Sequence, residues 1–135
     1  MKKRLISFAL CVVTMMAICG SAFAEEHQAP TPRWSYIASI GGNIEKKIFS
    51  YEVSADVFLH DYKNKANITA TLQSYHSGWS DINTWTGSGT GAAGCSGSKA
   101  LGVGTYRVKI SVSAYSPTGS FLESTTVYTD EYSVR

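Results

Sequence analysis

In "FSYEVSADVFL", residues 49–59, the side chains change character at every second position. Phe49, Tyr51, Val53, Ala55, Val57 and Leu59 fall on one side, and Ser50, Glu52, Ser54, Asp56 and Phe58 on the other. Only an extended strand sends alternate residues to opposite faces, so this stretch is expected to be a half-buried strand with one wet face. "GTYRVKISVSAY", residues 104–115, repeats the rhythm. Tyr106, Val108, Ile110, Val112 and Ala114 face one way, and Arg107, Lys109, Ser111, Ser113 and Tyr115 the other. Wound as a helix, the same residues would spread their charges around the cylinder and leave no apolar stripe.

Weaker strand signals come from "WSYIASI", "NITATLQSY", "WSDINTW" and "FLESTTVYT", all rich in Thr, Ser, Val, Ile and aromatic residues that suit a pleated surface. Turn chemistry falls between them at Gly41-Gly42-Asn43, Lys63-Asn64-Lys65, Ser77-Gly78 and Ser116-Pro117-Thr118-Gly119. Several short alternating strands in one domain predict an all-β, immunoglobulin-like antiparallel sandwich of about seven strands over residues 34–135. Tyr106, just after a glycine turn, sits where immunoglobulin-like domains place a tyrosine whose hydroxyl bonds upstream backbone.

Ahead of the predicted domain, Lys2, Lys3 and Arg4 precede the apolar run "LISFALCVVTMMAICG", and Ala22-Phe23-Ala24 supplies the small residues of a cleavage site. Residues 1–24 are therefore expected to be a signal-peptide helix, cleaved after Ala24, with no stable membrane span remaining and the product secreted. "EEHQAPTPR", residues 25–33, reads as a flexible lead-in. Removing 24 of 135 residues leaves 111, enough for one domain with a self-sufficient core. Three of the 12 basic side chains leave with the leader, so nine face ten acidic ones and the charge of +2 becomes −1. Nucleic acid is accordingly not an expected partner, since little is left to neutralise a phosphate backbone.

Cys95 is the one thiol outside the leader, so no internal disulfide is expected. It either packs as a small apolar residue or couples two copies through an intermolecular disulfide. Around it, "GTGAAGCSG" (Gly89–Gly97) contains G-x-G-x-x-G, yet no helix period follows to offer N–H groups to a pyrophosphate. The tract reads as slack chain between two strands. A thiol enzyme built from Cys95, His76 and Asp81 can be drawn on paper, but triads are recognised by geometry and glycine-rich chain holds none. His27, His60 and His76 read as surface residues, His60-Asp61 does not suggest a metal site, and Asn67-Ile68-Thr69 forms a sequon. No catalytic residue, metal or cofactor is expected.

The candidate binding residues lie in "YHSGWSDINTW", residues 75–85. In an unbroken strand Trp79, Asp81, Asn83 and Trp85 would share a face, with Tyr75 behind them. Burying that face would drag in an acid and an amide at a kcal/mol or more each, about the cost of an unpartnered polar group. Exposing it gives flat aromatics beside hydrogen-bonding groups, the equipment for gripping a sugar or a partner's apolar patch. A bulge that turns one tryptophan inward as a core plug is the other resolution.

"RWSYIASI", "LQSYHSGW" with its second Trp, "GTYRVKISVSAYS", the Ser-Pro-Thr-Gly turn and the following "ES" together resemble a family of small secreted proteins of Gram-positive bacteria with no assigned function. The resemblance spans roughly residues 33–129 and implies no activity, cofactor or site. The expectation is therefore a secreted, non-enzymatic sandwich that binds cell-envelope carbohydrate or an extracellular protein. A small bacteriocin-like antagonist is the alternative, and a Cys95-dependent thiol enzyme comes last.

Overall fold

The computed structural model describes residues 34–135. The leader and the lead-in, residues 1–33, lie outside the described residues. Among the described residues the chain forms eight strands and no helix. They are β1 (Ile37–Lys46), β2 (Tyr51–Leu59), β3 (Lys65–Tyr75), β4 (Trp79–Thr90), β5 (Ala92–Lys99), β6 (Gly104–Tyr115), β7 (Phe121–Tyr128) and β8 (Tyr132–Val134). A three-stranded sheet, order β1-β2-β5, faces a larger sheet, order β4-β3-β6-β7, in which β8 also pairs with β6. All pairings are antiparallel. β2 and β5 lie over β3, and β1 lies over β6, so the architecture is that of a β-sandwich.

The alternation decides which faces meet. Val53, Ala55, Val57 and Leu59 of β2 pack toward Ala66, Ile68, Ala70 and Leu72 of β3 and Tyr106, Val108, Ile110, Val112 and Ala114 of β6. Burying each of the larger side chains contributes about 1.5–3 kcal/mol. Tyr106 stays inside because its hydroxyl donates to the Gly102 carbonyl at 2.8 Å, which satisfies the one polar atom it carries in.

Three expectations are corrected. Gly41-Gly42-Asn43 is not a turn: β1 runs through it, pairing Gly41 with Asp56, Gly42 with Ala55 and Asn43 with Ser54. A side chain at Gly42 would collide with Ile110, so the glycine serves sheet packing. The reversal comes at residues 47–50, where the Lys47 amide donates to the Ser50 carbonyl at 2.8 Å. Phe49 therefore belongs to the turn and is 93% exposed instead of joining the apolar face of β2.

The largest correction concerns Gly89–Gly97, which is ordered strand on both sides of Gly91. β4 ends at Thr90 in the larger sheet, Gly91 turns with φ 77°, and β5 begins at Ala92 in the smaller one. The turn is tied down by Gly91 N–H to the Asn64 carbonyl (2.7 Å) and Leu59 N–H to the Gly91 carbonyl (2.9 Å). The glycines let these two strands approach backbone to backbone. A Cβ at Gly87 would overlap the Gly94 carbonyl, and one at Gly97 would overlap the Trp85 indole.

Candidate functional site

β3 and β4 pair without interruption except for one step. Leu72 pairs with Asn83, but Gln73 pairs with Asp81, so Ile82 is an extra residue. This bulge resolves the awkward face of "WSDINTW". On one side of it Trp79 and Asp81 pair with Tyr75 and Gln73 on the outer face of the larger sheet. On the other, Trp85 pairs with buried Ala70 and packs against the core with Ile82. Asn83, at the bulge, is exposed. Of the five candidate residues, Tyr75, Trp79 and Asp81 are brought together, Asn83 is set apart and Trp85 is turned in.

Trp79 does not offer a bare plate. The Arg107 guanidinium lies 4.1 Å from its ring centroid and 4.2 Å from that of Tyr128, so a cation stacks with both rings. Tyr75 meets Trp79 edge to face, centroids 5.3 Å apart and planes at 63°. Arg107 Nε donates to Gln73 Oε1 at 2.8 Å, and Gln73 Nε2 donates to Asp81 Oδ1 at 2.8 Å. β3, β4, β6 and β7 thus each contribute to one fixed cluster of aromatic and polar groups. Tyr75 and Tyr128 are each 51% exposed at its ends.

Beside the cluster the same face carries hydroxyls in register. Thr84 and Thr71 pair in one row and Thr86, Thr69, Ser111 and Thr126 align in the next, followed by Ser88, Asn67, Ser113 and Ser124. Thr71 bonds Thr84 and Ser111 bonds Thr126, both at 3.2 Å between hydroxyl oxygens. Asn67, Thr69, Thr86 and Ser88 border a shallow recess of about 460 Å³. Lys109 lies next to Thr71 and Tyr128, and Lys65 at the end of β3 on the same face.

Gln73, Arg107, Lys109 and Tyr128 were not among the sequence candidates. Outward parity already assigned Arg107 and Lys109 to the wet face of their strand. What the chain does not spell out is the register that sets Arg107 beside Gln73.

Cys95 lies on the inward side of β5, half-buried, paired with Ala55 and close enough to Ala70 to hydrogen-bond its backbone. Burial pushes the thiol up, opposed in part by that backbone bond. His76 sits exposed just past the end of β3, six residues beyond Ala70, roughly 20 Å along an extended chain. The thiol, His76 and Asp81 are not brought together. Among the described residues no three His, Cys, Asp or Glu side chains gather as a metal would require, and no helix is long and apolar enough to cross a membrane. Comparisons with protein-family models, with curated proteins and with solved structures find nothing that matches the chain.

Proposed function

We propose that the protein is an exported, non-enzymatic binding domain of the immunoglobulin-like kind, and that it takes cell-envelope carbohydrate on the outer face of its larger sheet. Support for the immunoglobulin-like type comes from the strand order. Strands in chain positions one, two and five share a sheet, and the other sheet holds four, three, six and seven. This is the arrangement in which the fourth strand joins the sheet of the third, and the Tyr106 hydroxyl bond to upstream backbone accompanies it. Export rests on the basic start, apolar run and Ala22-Phe23-Ala24 of the leader.

The observation that carries the binding reading is the outer face itself. A cluster of Tyr75, Trp79, Arg107 and Tyr128 adjoins rows of ordered hydroxyls in the middle of a sheet, with Gln73 and Asp81 locked into its network. Binding groups held on strands are positioned more sharply than groups on loops. A polyol meets hydroxyl partners along the rows and aromatic rims at their end.

The test is retention of the secreted chain on insoluble cell-wall polysaccharide. Wild type is expected in the pellet, and Trp79→Ala, which dismantles the cluster, in the supernatant. Circular dichroism establishes that the variant is folded. Wild-type protein left in the supernatant, or undiminished retention of folded Trp79→Ala, overturns the proposal.

A further inference from the structure

We propose that the ligand of this face is anionic: a polysaccharide or polyol polymer bearing carboxylate or phosphate groups, held by the terminal nitrogens of Arg107 with Lys109 as a second cation. This rests on the reading of the outer face as a carbohydrate site and names the chemistry of what it takes.

The first ground is how Arg107 is used. Its guanidinium carbon lies over the Trp79 and Tyr128 rings, and its Nε–H is given to Gln73. A guanidinium has five N–H donors in a rigid fork, so the four at the terminal nitrogens remain. None of them has a partner among the described residues, while rings and amide fix the group's orientation. An immobilised fork with its terminal edge unused matches the two oxygens of a carboxylate or phosphate.

The second ground is that neither cation is ion-paired. Asp81, the acid of the network, reaches Arg107 only through the neutral Gln73 amide and forms no ion pair with Arg107 or Lys109. Lys109 stands two residues along β6 on the same face, about 7 Å away at strand spacing. Among the described residues the ion pairs are those of Lys47 with Glu45 and Glu52, on the other side of the molecule. Two neighbouring cations held without an acid between them repel each other, and an anion seated there relieves the repulsion.

The third ground is the separation of charge between the two sheets. Residues 34–135 carry eight basic and eight acidic side chains, a net charge of zero. The outward strand positions of the smaller sheet hold Glu45, Glu52 and Asp56 against Lys47, which reaches the two glutamates from the adjoining turn. Those of the larger sheet hold Lys65, Arg107 and Lys109 against Asp81. A chain with no net charge therefore shows one acidic and one basic face, and an approaching polyanion is steered to the basic one. Three cations supply little of the phosphate neutralisation on which nucleic-acid affinity rests, whereas the adjoining Thr and Ser rows suit a hydroxylated polymer.

The experiment is affinity electrophoresis of the secreted chain in gels containing polygalacturonate, poly(glycerol phosphate), neutral dextran or a DNA oligonucleotide of matched charge. Retardation by one or both polyanionic polyols, but not by dextran, is expected; which polyol retards identifies the acid group. Arg107→Gln should weaken binding about tenfold and Lys109→Gln several-fold, Glu52→Gln on the opposite face should leave it unchanged, and added salt should weaken it. If Arg107→Gln fails to fold, Lys109→Gln and Arg107→Lys, which keeps the charge and loses the fork, carry the same test. Equal retardation by dextran, unaffected by folded Arg107 and Lys109 variants, overturns the anionic ligand while the carbohydrate reading stands. Retardation by DNA at least as strong as by the polyols also overturns it. No retardation by any polymer overturns this inference, and retention on the insoluble wall then decides the carbohydrate reading by itself.

Discussion

Cys95 shows how little the identity of a residue says about its behaviour. As a lone thiol it invites a role in coupling or catalysis, but its side chain is directed between the sheets toward the Ala70 backbone, and burial raises its pKa. In the folded state the neutral form is favoured, so the group's contribution to stability is fully present below the ordinary thiol value. That contribution is lost as pH rises through the raised one. Two outcomes are expected. Alkylation near neutral pH should be slower in the native protein than in urea, because less thiolate is available. The urea midpoint should also fall less steeply between neutral and alkaline pH in Cys95→Ala than in wild type. Equal alkylation rates in both states would show the thiol to be open. The residues of the Trp79 cluster were half readable: Tyr75, Trp79 and Asp81 announce themselves by type and spacing. Arg107 and Tyr128 do not, because strand register, not chain proximity, brings them there.

Among the strands, β2 and β6 were readable from their alternation because Val, Leu and Ile on one side contrast with Ser, Lys, Arg and Glu on the other. β5 lacks that contrast. Its inward positions are Ala93, Cys95 and Gly97, small because β4 crowds against them, so the feature that makes it a strand in this sandwich also hides it from a hydrophobic pattern. β1 was cut short at Gly41-Gly42 for the same reason, its glycine lying under Ile110 and not in a turn. The close approach of β4 and β5 gives a sharp expectation for Gly87→Ala. In slack chain this change stabilises by about 0.4–1 kcal/mol through the unfolded state. Here the added methyl meets the Gly94 carbonyl, and overpacking of this kind costs about 1–3 kcal/mol. Denaturant unfolding separates the two by sign.

At the level of the molecule the sandwich follows from composition and rhythm, because two half-wet sheets have one economical way to hide their apolar sides. The pairing order and the sorting of charge between faces do not follow, since both depend on contacts between distant parts of the chain. The glycine-lined seam between β4 and β5 bears on where such a molecule can be cut. Gly-rich sequence ordinarily marks chain that a protease can draw out and cleave. Here that sequence is pinned at Gly91 by backbone bonds to Asn64 and Leu59 and wedged between two sheets. Limited proteinase K digestion, read by mass spectrometry, should open the chain first at the exposed Ile48-Phe49 turn and spare Ala92 and Ala93 in the seam. Early scission at Ala92 or Ala93 would mean that the seam breathes. If it holds, the segment that looks most like a hinge is among the last places this protein is nicked.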